Sequence, residues 1–200
     1  IRPHFLYNTL YAIKQLCKMN EVEDAGIMVS ALAAFFRISV SKGEEIITVK
    51  DEISHVENYL IIQHMRYKDK LEYSIDVSED LYSYSVVKLM LQPIVENAIY
   101  HGINNKRGIG TINIKGYIID EELIFEIRDD GIGIEPGKID EITNLLQSKE
   151  RNTDSLGMGL FNVHERIRLM FGQGYGIKIE STFQLGTTVY IRIPAIKHLK

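Results

Sequence analysis

The sequence contains one cysteine, no long apolar run and no excess of positive charge, and each shortage excludes a class of protein. A single thiol, Cys17, forms no internal disulfide and no cysteine-based metal cluster, which suits a reducing compartment. No stretch approaches the roughly 18 consecutive apolar residues that cross a bilayer, and the start does not resemble a signal peptide. The net charge of −4 gives no electrostatic basis for binding nucleic acid or anionic lipid, so we expect no nucleic-acid partner.

The composition is that of a globular protein. The 200 residues, of which 45% are hydrophobic and 25% charged, are enough for one or two domains with a buried core. We detect no internal repeat and no low-complexity segment. The chain begins at Ile1 rather than at methionine, and we therefore expect it to be part of a longer protein.

Helical periodicity dominates residues 1–66. Four apolar residues follow the steps of four, three and four that mark one face of a helix; they are Leu6, Leu10, Ile13 and Cys17. A second stripe begins with His4 and Asn8, two positions earlier and about 200° around a helix of about 3.6 residues per turn. We expect His4 to face away from the apolar seam.

Two further helical runs follow the first. The second is marked by Met28, Leu32, Phe35 and Phe36, and the third by Ile53, Val56 and Leu60. Helices of this length bury little apolar surface alone, whereas a four-helix bundle built by two copies hides their apolar stripes. We therefore predict a homodimer that forms through an N-terminal helical hairpin.

The spacing of apolar residues changes from helical to alternating after Tyr67, where we place the start of a second domain. Strands are predicted at 71–77, 111–119, 123–128, 176–182 and 187–193, and helices at 86–100, 139–147 and 159–171. The polar stretch 135–155 is predicted to be a mobile loop. Mixed order of this kind indicates an α+β fold, in which a helical dimerisation hairpin (1–66) precedes a two-layer α/β sandwich with a mixed sheet (67–200).

Two polar residues are candidates for binding a nucleotide and its metal ion. Asn97 lies on the helix predicted at 86–100, and its side-chain oxygen is a hard ligand of the kind that Mg²⁺ accepts beside phosphates. Asp129 follows a predicted strand, where a carboxylate can accept a hydrogen bond from an exocyclic amine such as that of adenine. Gly131 and Gly133 allow a tight turn and a close backbone approach to a ligand. Taken alone, the run DDGIG is more typical of a simple turn.

Two glycine-containing clusters follow. Gly157 and Gly159 precede the last predicted helix, whose first backbone amides can hold phosphate oxygens, although glycine pairs also begin many ordinary helices. Gly186 and Thr187 precede the terminal strand and are equally typical of a hairpin turn. The occurrence of all four clusters in one order, rather than any one of them, predicts a nucleotide pocket. His4 is then the candidate acceptor for a phosphoryl group, although an isolated surface histidine usually has no such role.

Together the four clusters resemble the nucleotide-binding boxes of the ATPase superfamily shared by gyrase, Hsp90, MutL and the histidine kinases. The segments IRPHFLYNTL, LQPIVENAIYHG, DDGIGI and GMGLFNVHERIRLMFG narrow the resemblance to sensor histidine kinases of the LytS and YesM type, over nearly all of the chain. The resemblance implies a Bergerat-type ATP-binding fold, ATP and Mg²⁺ as cofactors, and protein-histidine kinase activity. It also implies a bacterial membrane protein with upstream sensor and membrane segments, of which this chain is a cytoplasmic portion.

The roles of the family's site residues carry over to matching positions. His4 is the implied phosphoacceptor, Asn97 the implied Mg²⁺ ligand and Asp129 the implied contact of adenine. The other implied nucleotide contacts are His101, Gly131, Gly133, Gly157, Met158, Gly159, Leu160 and Thr187. Among these, a histidine such as His101 is as typical of a helix end as of a phosphate contact.

Two positions depart from the family's pattern. Phe5 stands where many histidine kinases have an acidic residue beside the phosphoacceptor, so His4 lacks the usual neighbouring base. Asn8 matches a polar position of the motif and is expected to orient the imidazole, while Glu96 is the expected alternative base. Tyr100 stands where related kinases often have lysine. The candidates for replacing that charge are Lys106, Arg107 and Lys149.

The implied reaction is attack of a neutral imidazole nitrogen on the γ-phosphoryl group of ATP, with Mg²⁺ and backbone dipoles offsetting the charge. Domain movement about residues 66–70 is expected to bring His4 and the nucleotide together. The implied partner is a response-regulator receiver domain, whose aspartate takes the phosphoryl group. Two alternatives stay open: a module that binds ATP without transfer, and a clamp ATPase of the same superfamily, against which the helical first domain argues.

Overall fold

The computed structural model describes residues 3–40, 45–147 and 158–198. Its N-terminal part contains the helices α1 (Pro3–Lys18), α2 (Val22–Val40) and α3 (Val49–Arg66), with a short strand β1 (Ile46–Thr48) before the third helix. Within the described ranges, no helix has the length and apolar character that crossing a membrane requires.

The rest of the described chain forms a sheet and the helices that cover it. The strands are β2 (Leu71–Val77), β3 (Ser85–Val87), β4 (Gly110–Ile119), β5 (Glu122–Asp129), β6 (Gly176–Thr182) and β7 (Gly186–Pro194). The helices are α4 (Gln92–Asn97), α5 (Pro136–Gln147) and α6 (Met158–Phe171). Short 3₁₀ turns lie at Glu79–Leu81 and Ile103–Asn105, and a π-helical turn lies at Ala98–Gly102.

A five-stranded mixed sheet organises the C-terminal part. Its strand order is β2-β4-β5-β7-β6, with β2 parallel to β4 and the other neighbours antiparallel. Alternate residues are buried, such as Phe125 and Ile127 on β5, because one face of an antiparallel sheet packs on the core. The α+β fold with a two-layer sandwich and a mixed sheet is therefore confirmed.

The strands β4 and β5, both predicted from alternation, are confirmed and form a hairpin. Ile119 pairs with Glu122 at its tip. The two residues between them, Asp120 and Glu121, adopt φ angles of 47° and 65°, as a tight turn between right-twisted strands requires.

The predicted helix at 86–100 begins too early. Val86 and Val87 belong to β3, which pairs antiparallel with β1 so that Val86 lies opposite Ile47. Helix α4 starts only at Gln92. The prediction was wrong at this end because a short apolar run fits a buried strand as well as a helix, and the partner strand is distant in sequence.

Two overlapping predictions covered residues 135–155. The predicted helix at 139–147 is confirmed, since α5 extends over Pro136–Gln147 and buries Ile142 and Leu146. The prediction of a mobile loop was wrong over α5, where apolar residues at helical spacing outweigh the polar composition. The remainder of the predicted loop lies largely outside the described residues.

Helix α1 packs on the core with only part of the predicted seam. Phe5, Thr9 and Leu16 are buried, and Leu6 and Ile13 of the seam are half-buried against the core, whereas Leu10 is 49% exposed and Cys17 is exposed. The face that packs within one chain is therefore rotated from the predicted seam and shares two of its four residues. Its role in a dimer stays a prediction.

An aromatic core joins the three N-terminal helices. The Phe5 ring of α1 lies 5.0 Å from the Phe35 ring of α2 and 5.1 Å from the Tyr59 ring of α3. Phe5 is 3% exposed, although it directly follows the exposed His4. Aromatic pairs at such distances contribute about 0.5–1.5 kcal/mol each beyond their buried area.

Helix α3 packs on both parts of the chain. It contacts α2 on one side and β2, β3 and α4 on the other. Thr48 caps its start by accepting the Asp51 N–H at 3.1 Å, and Tyr67 closes its end by donating its N–H to the Gln63 carbonyl. The division into domains 1–66 and 67–200 stays a prediction.

Candidate nucleotide-binding site

One pocket gathers many of the residues selected from the sequence. It lies between α4 with its π-helical turn, α5, α6 and the strands β5, β6 and β7. Its apolar wall residues include Ile94, Ile127, Ile142, Ile179 and Val189. Six lining residues were predicted to bind nucleotide: Asn97, His101, Asp129, Gly133, Leu160 and Thr187. An apolar cleft with a few converging polar groups is the usual form of a small-molecule site.

Asp129 provides a buried carboxylate at this pocket. It ends β5 opposite Thr187, it is 6% exposed, and its Oδ1 accepts the Gly131 N–H at 2.9 Å. Burial raises its pKa to about 6, and the backbone N–H groups of Gly131 and Thr187 partly offset this rise. Since a carboxylate has about four acceptor positions, capacity remains for a ligand.

The neighbouring Asp130 is directed elsewhere. Its Oδ1 accepts the Thr111 N–H at 2.7 Å, and its Oδ2 pairs with the Lys106 ammonium at 2.8 Å. The two adjacent carboxylates therefore have different roles. Asp129 lines the pocket, while Asp130 holds the turn after β5 against β4.

Two glycines of the turn after β5 are required by close packing. At Gly131 a Cβ atom would lie 2.5 Å from Gly102 Cα, so the turn lies directly on the π-helical turn. At Gly133 a Cβ atom would overlap the Thr182 carbonyl, and the φ angle of 64° also favours glycine. These contacts bring the backbone of the DDGIGI segment to the pocket.

Asn97 and His101 reach the pocket from one end of α4. After Asn97 the chain changes to π geometry over Ala98–Gly102, a local widening that is frequent at functional sites. The Asn105 Nδ2 stabilises this end by donating to the carbonyls of Tyr100 at 3.3 Å and His101 at 3.1 Å.

The Mg²⁺ ligand predicted from the sequence, the Asn97 side-chain oxygen, belongs to a residue that lines this pocket. Across residues 3–40, 45–147 and 158–198, no group of three or more His, Cys, Asp or Glu side chains is arranged to hold a metal ion. Mg²⁺ usually keeps several waters and binds through one or two protein ligands plus substrate phosphates. A single amide oxygen beside bound phosphates therefore fits this metal.

Helix α6 begins at the edge of the pocket. Met158 is 47% exposed, whereas Leu160 is buried and lines the pocket. Gly159 lies beside α4, since a Cβ atom there would be 3.8 Å from Asn97 Nδ2. The first N–H groups of a helix have no intrahelical partners and suit phosphate oxygens. Gly157 lies outside the described residues.

His4 is exposed on α1, and the Asn8 side chain lies over its ring. Asn8 Nδ2 is 2.8 Å from Nε2 and 3.1 Å from Nδ1 of His4. Because Asn8 lies one helical turn after His4 and its amide contacts the ring, it is placed to orient the imidazole, as the sequence predicted.

The predicted base, Glu96, and two of the predicted cations, Lys106 and Arg107, lie outside the pocket lining. Glu96 accepts a hydrogen bond from Gln92 Nε2 at 2.8 Å. Lys106 pairs with Asp130, and Arg107 is exposed. Lys149 falls in the part of the chain that the structure does not describe.

Two family models match the chain. Residues 1–71 match the histidine kinase model, and residues 84–197 match the model of histidine kinase-, DNA gyrase B- and HSP90-like ATPases. The chain belongs to the histidine kinase family. The first match contains His4, and the second contains every residue that lines the pocket.

Sensor histidine kinases are also among the curated relatives of this family member. YesM of Bacillus subtilis is 34% identical over 194 residues, YpdA of Escherichia coli 32% over 195, and the sensor protein LytS of Bacillus cereus 29% over 195. Each alignment covers 97% of this chain but only 32% or 33% of the relative. The chain thus spans about a third of the length of these relatives.

Solved histidine kinases share the fold of this chain. The mycobacterial sensor histidine kinase MprB superposes with a TM-score of 0.53 at 19% identity, over 78% of this chain and 100% of that chain. Full-length ShkA in complex with AMPPNP superposes with a TM-score of 0.54 at 17% identity, over 94% of this chain and 39% of that one. Identities this low establish the fold alone.

Two residues that shape or line the pocket were missed from the sequence. Ser181 Oγ contacts the Ile134 N–H and the Gly186 carbonyl, each at 2.9 Å, and so joins the DDGIGI segment to the β6–β7 turn. Ile142 of α5 forms part of the apolar wall. Neither residue has a sequence signal, because the folded chain brings it to the pocket from a distant segment.

A buried carboxylate on α3 positions the start of α4. Glu52 is 0% exposed, its Oε2 accepts the Leu89 N–H and its Oε1 accepts the Leu91 N–H, each at 2.8 Å. Burial raises its pKa to about 7, and the backbone N–H groups partly offset this rise. Leu89 adopts φ of 58°, an unfavourable angle for a residue with a side chain, so the carboxylate stabilises a strained turn.

Proposed function

We propose that the chain is the kinase portion of a two-component sensor histidine kinase. It binds ATP with Mg²⁺ in the pocket, transfers the γ-phosphoryl group to His4, and passes that group to an aspartate of a response-regulator receiver domain. The pocket is the observation that supports this most, because its wall is largely apolar and its polar lining residues are Asn97, His101, Asp129 and Thr187.

The adenine ring lies, in this proposal, between the apolar walls with its exocyclic amine directed at Asp129. The buried carboxylate accepts a hydrogen bond from the amine, and the low polarity of the surroundings strengthens that bond. The Thr187 hydroxyl, 2.9 Å from Ser181 Oγ, stands beside it. Guanine presents a carbonyl oxygen in place of the amine, so two acceptors would face each other and guanine nucleotides would bind weakly.

The phosphates extend towards Asn97 and the start of α6. When bound through the Asn97 oxygen, Mg²⁺ offsets the charge of the phosphates. The free N–H groups at the start of α6 contact phosphate oxygens, and His101, which is exposed at the pocket, is placed to donate to them.

In the transfer step, a lone pair of the neutral His4 ring attacks the γ-phosphorus. The bond from that phosphorus to the bridging oxygen breaks, and ADP leaves with the oxygen. Asn8 contacts the ring and orients it. The remaining ring proton passes to a base; Phe5 offers none, so we assign that role to Glu96 once movement about residues 66–70 brings the parts together.

A homodimer is part of this proposal. Apolar side chains are exposed on α1 and α2: Tyr7, Leu10, Tyr11, Ile27 and Val29. Exposed apolar surface of this kind marks an interaction site when it is contiguous. Packing the two helices against those of a second copy would bury it in a four-helix bundle.

The chain is proposed to be the cytoplasmic portion of a bacterial membrane protein. It aligns with about a third of each curated relative, and those relatives are named sensor kinases or sensor proteins. We assign sensor and membrane segments to the remaining, upstream part of such a protein.

A module that binds ATP without transferring it is the second candidate function. The position of Phe5 favours it, because the residue beside His4 is an aromatic ring that is 3% exposed rather than a base. The pocket is the same in both candidates, and only the fate of the γ-phosphoryl group differs.

Incubation with Mg-ATP labelled on the γ-phosphate separates the candidates. Wild-type protein should form an acid-labile phosphoprotein, and His4→Ala should not. His198→Ala is the matched control, since His198 contacts Ser85 and does not line the pocket. Bound nucleotide without phosphoprotein would favour the binding module, and steady phosphate release that survives His4→Ala would favour a clamp ATPase.

A further inference from the structure

A cluster of buried and half-buried side chains links α1 to the end of α4 that lines the pocket. It combines three aromatic side chains with one amide and one carboxylate. Its members, called the Tyr59 cluster below, are Phe5, Tyr59, Gln63, Glu96 and Tyr100.

Tyr59 of α3 is the centre of this cluster. Its ring is 1% exposed and lies 5.1 Å from the Phe5 ring. Its hydroxyl accepts a hydrogen bond from Gln63 Nε2 at 2.7 Å and also hydrogen-bonds the Tyr100 side chain. Burial, followed by the nearby Glu96 charge, raises the pKa of Tyr59, so the hydroxyl keeps its proton and can donate it.

Gln63 fixes the direction of these hydrogen bonds. Arg66 donates to Gln63 Oε1 at 3.0 Å, which turns Nε2 towards the Tyr59 hydroxyl and, at 3.5 Å, towards the Tyr100 hydroxyl. Gln63 is 0% exposed. Because an unpaired polar group is costly at such depth, the network has one favourable arrangement, and displacement of a member disturbs the others.

We propose that Tyr59 is a positioning residue for phosphoryl transfer, which couples the segment of α1 beside His4 to the π-helical turn beside Asn97. The ring of Tyr59 holds Phe5, and its hydroxyl holds Tyr100, so one side chain contacts the neighbours of both groups. Tyr59 does not line the pocket and acts only through these contacts. The role in transfer rests on the proposed kinase function, whereas the coupling of the two segments does not.

Tyr59→Phe tests the hydroxyl while it keeps the ring against Phe5. At saturating Mg-ATP we expect the rate of His4 phosphorylation to fall about tenfold, with the nucleotide dissociation constant changed less than about twofold. Tyr100→Phe should act alike, and the double variant should be no slower than the slower single variant, because the two hydroxyls form one contact. Tyr117→Phe on β4, a half-buried tyrosine outside the pocket and the cluster, should leave both constants unchanged.

Hydrogen–deuterium exchange measures the coupling between the segment of α1 beside His4 and the π-helical turn, and it does not depend on phosphoryl transfer. Mg-AMPPNP should slow exchange in residues 4–9 of the wild-type protein and of Tyr117→Phe, but not of Tyr59→Phe. Loss of that protection together with a normal dissociation constant supports the proposal. Three results overturn it: wild-type turnover in Tyr59→Phe, protection that persists in this variant, or no protection in the wild type. If the wild type binds nucleotide but forms no phosphoprotein, the kinase function fails while the exchange data still decide the coupling.

Discussion

Asp129 and Thr187 are register partners on β5 and β7, and their pairing puts a buried carboxylate and a hydroxyl on the same side of one pocket. Gly186 permits this approach, because its φ is 119° and a Cβ atom there would overlap the Asp129 carbonyl. The carboxylate is held by N–H groups rather than by a cation, and its pKa is raised to about 6. The buried carboxylate can therefore bind a ligand, but in its ionised form it lowers the free energy of unfolding.

Asp129→Asn should stabilise the nucleotide-free protein at pH 8. Because burial raises the folded-state pKa from 3.8 to about 6, the protonated carboxyl favours folding, and that contribution is lost as the pH rises through about 6. A pKa shift of this size corresponds to about 3 kcal/mol. This value is an upper limit for the increase in unfolding free energy that the neutral amide of Asp129→Asn provides at pH 8. Urea unfolding at pH 5 and pH 8 measures the difference. A variant that is no more stable than wild type at pH 8 would contradict this origin of the shift.

Glu52→Gln should alter the pH dependence of stability in a different range. Since burial raises the Glu52 pKa from 4.5 to about 7, its stabilising contribution is present below pH 4.5 and is lost as the pH rises through about 7. The stability of the wild type relative to the variant should thus fall by about 3 kcal/mol between pH 4.5 and pH 8. Glu57→Gln, an exposed change on the same helix, is the control and should show no such trend. Parallel curves for wild type and Glu52→Gln would refute the assignment.

Gly133→Ala should damage the pocket, whereas Gly174→Ala should not. At Gly133 the added methyl group meets the Thr182 carbonyl and the backbone has a φ angle of 64°, while at Gly174 nothing lies within 4 Å of the new atom. We expect a loss of about 1–3 kcal/mol in unfolding free energy and weaker nucleotide binding for Gly133→Ala only. Thermal unfolding with and without Mg-AMPPNP provides both values. Equal behaviour of the two variants would show that the close packing of this turn is unimportant.

Leu10→Asp should convert a dimer into a monomer without unfolding the chain. Leu10 is 49% exposed within one copy, so a charge there costs little until α1 packs against a second copy. Leu169→Asp on α6 is the matched control, because Leu169 is 82% exposed and lies away from the proposed helical interface. Sedimentation velocity should find a monomer for the first variant and a dimer for the control and wild type. A wild-type monomer, or an intact Leu10→Asp dimer, would be evidence against this interface.

The elements that could be predicted from sequence are those whose pattern is local. Strand β2 alternates Leu71 and Tyr73 with polar residues, and it folds as expected. Strand β3 was missed because its identity depends on Ile47, a partner about forty residues earlier in the chain. The buried face of α1 was also missed in part, since Phe5 is covered only when α3 supplies Tyr59.

The candidate site shows the same division. Asp129 and Asn97 belong to short motifs that can be recognised without a structure, and both line the pocket. Ser181 and Glu52 belong to no motif, and their contacts with Ile134 and Leu89 join segments that only the fold brings together. The sequence motifs therefore indicated the ligand class, whereas the groups that hold the site in shape are recognisable only in the folded chain.

Calorimetric titration with Mg-AMPPNP tests the central claim, that an adenine nucleotide binds beside Asp129. The wild type should bind the analogue at one site per chain, and Asp129→Asn should bind it roughly tenfold or more weakly, because a charge-assisted hydrogen bond is lost. Asp130→Asn should bind like the wild type, since Asp130 contacts Thr111 and Lys106 instead of the pocket. No heat of binding from the wild type, or equal weakening by the two substitutions, would contradict the account.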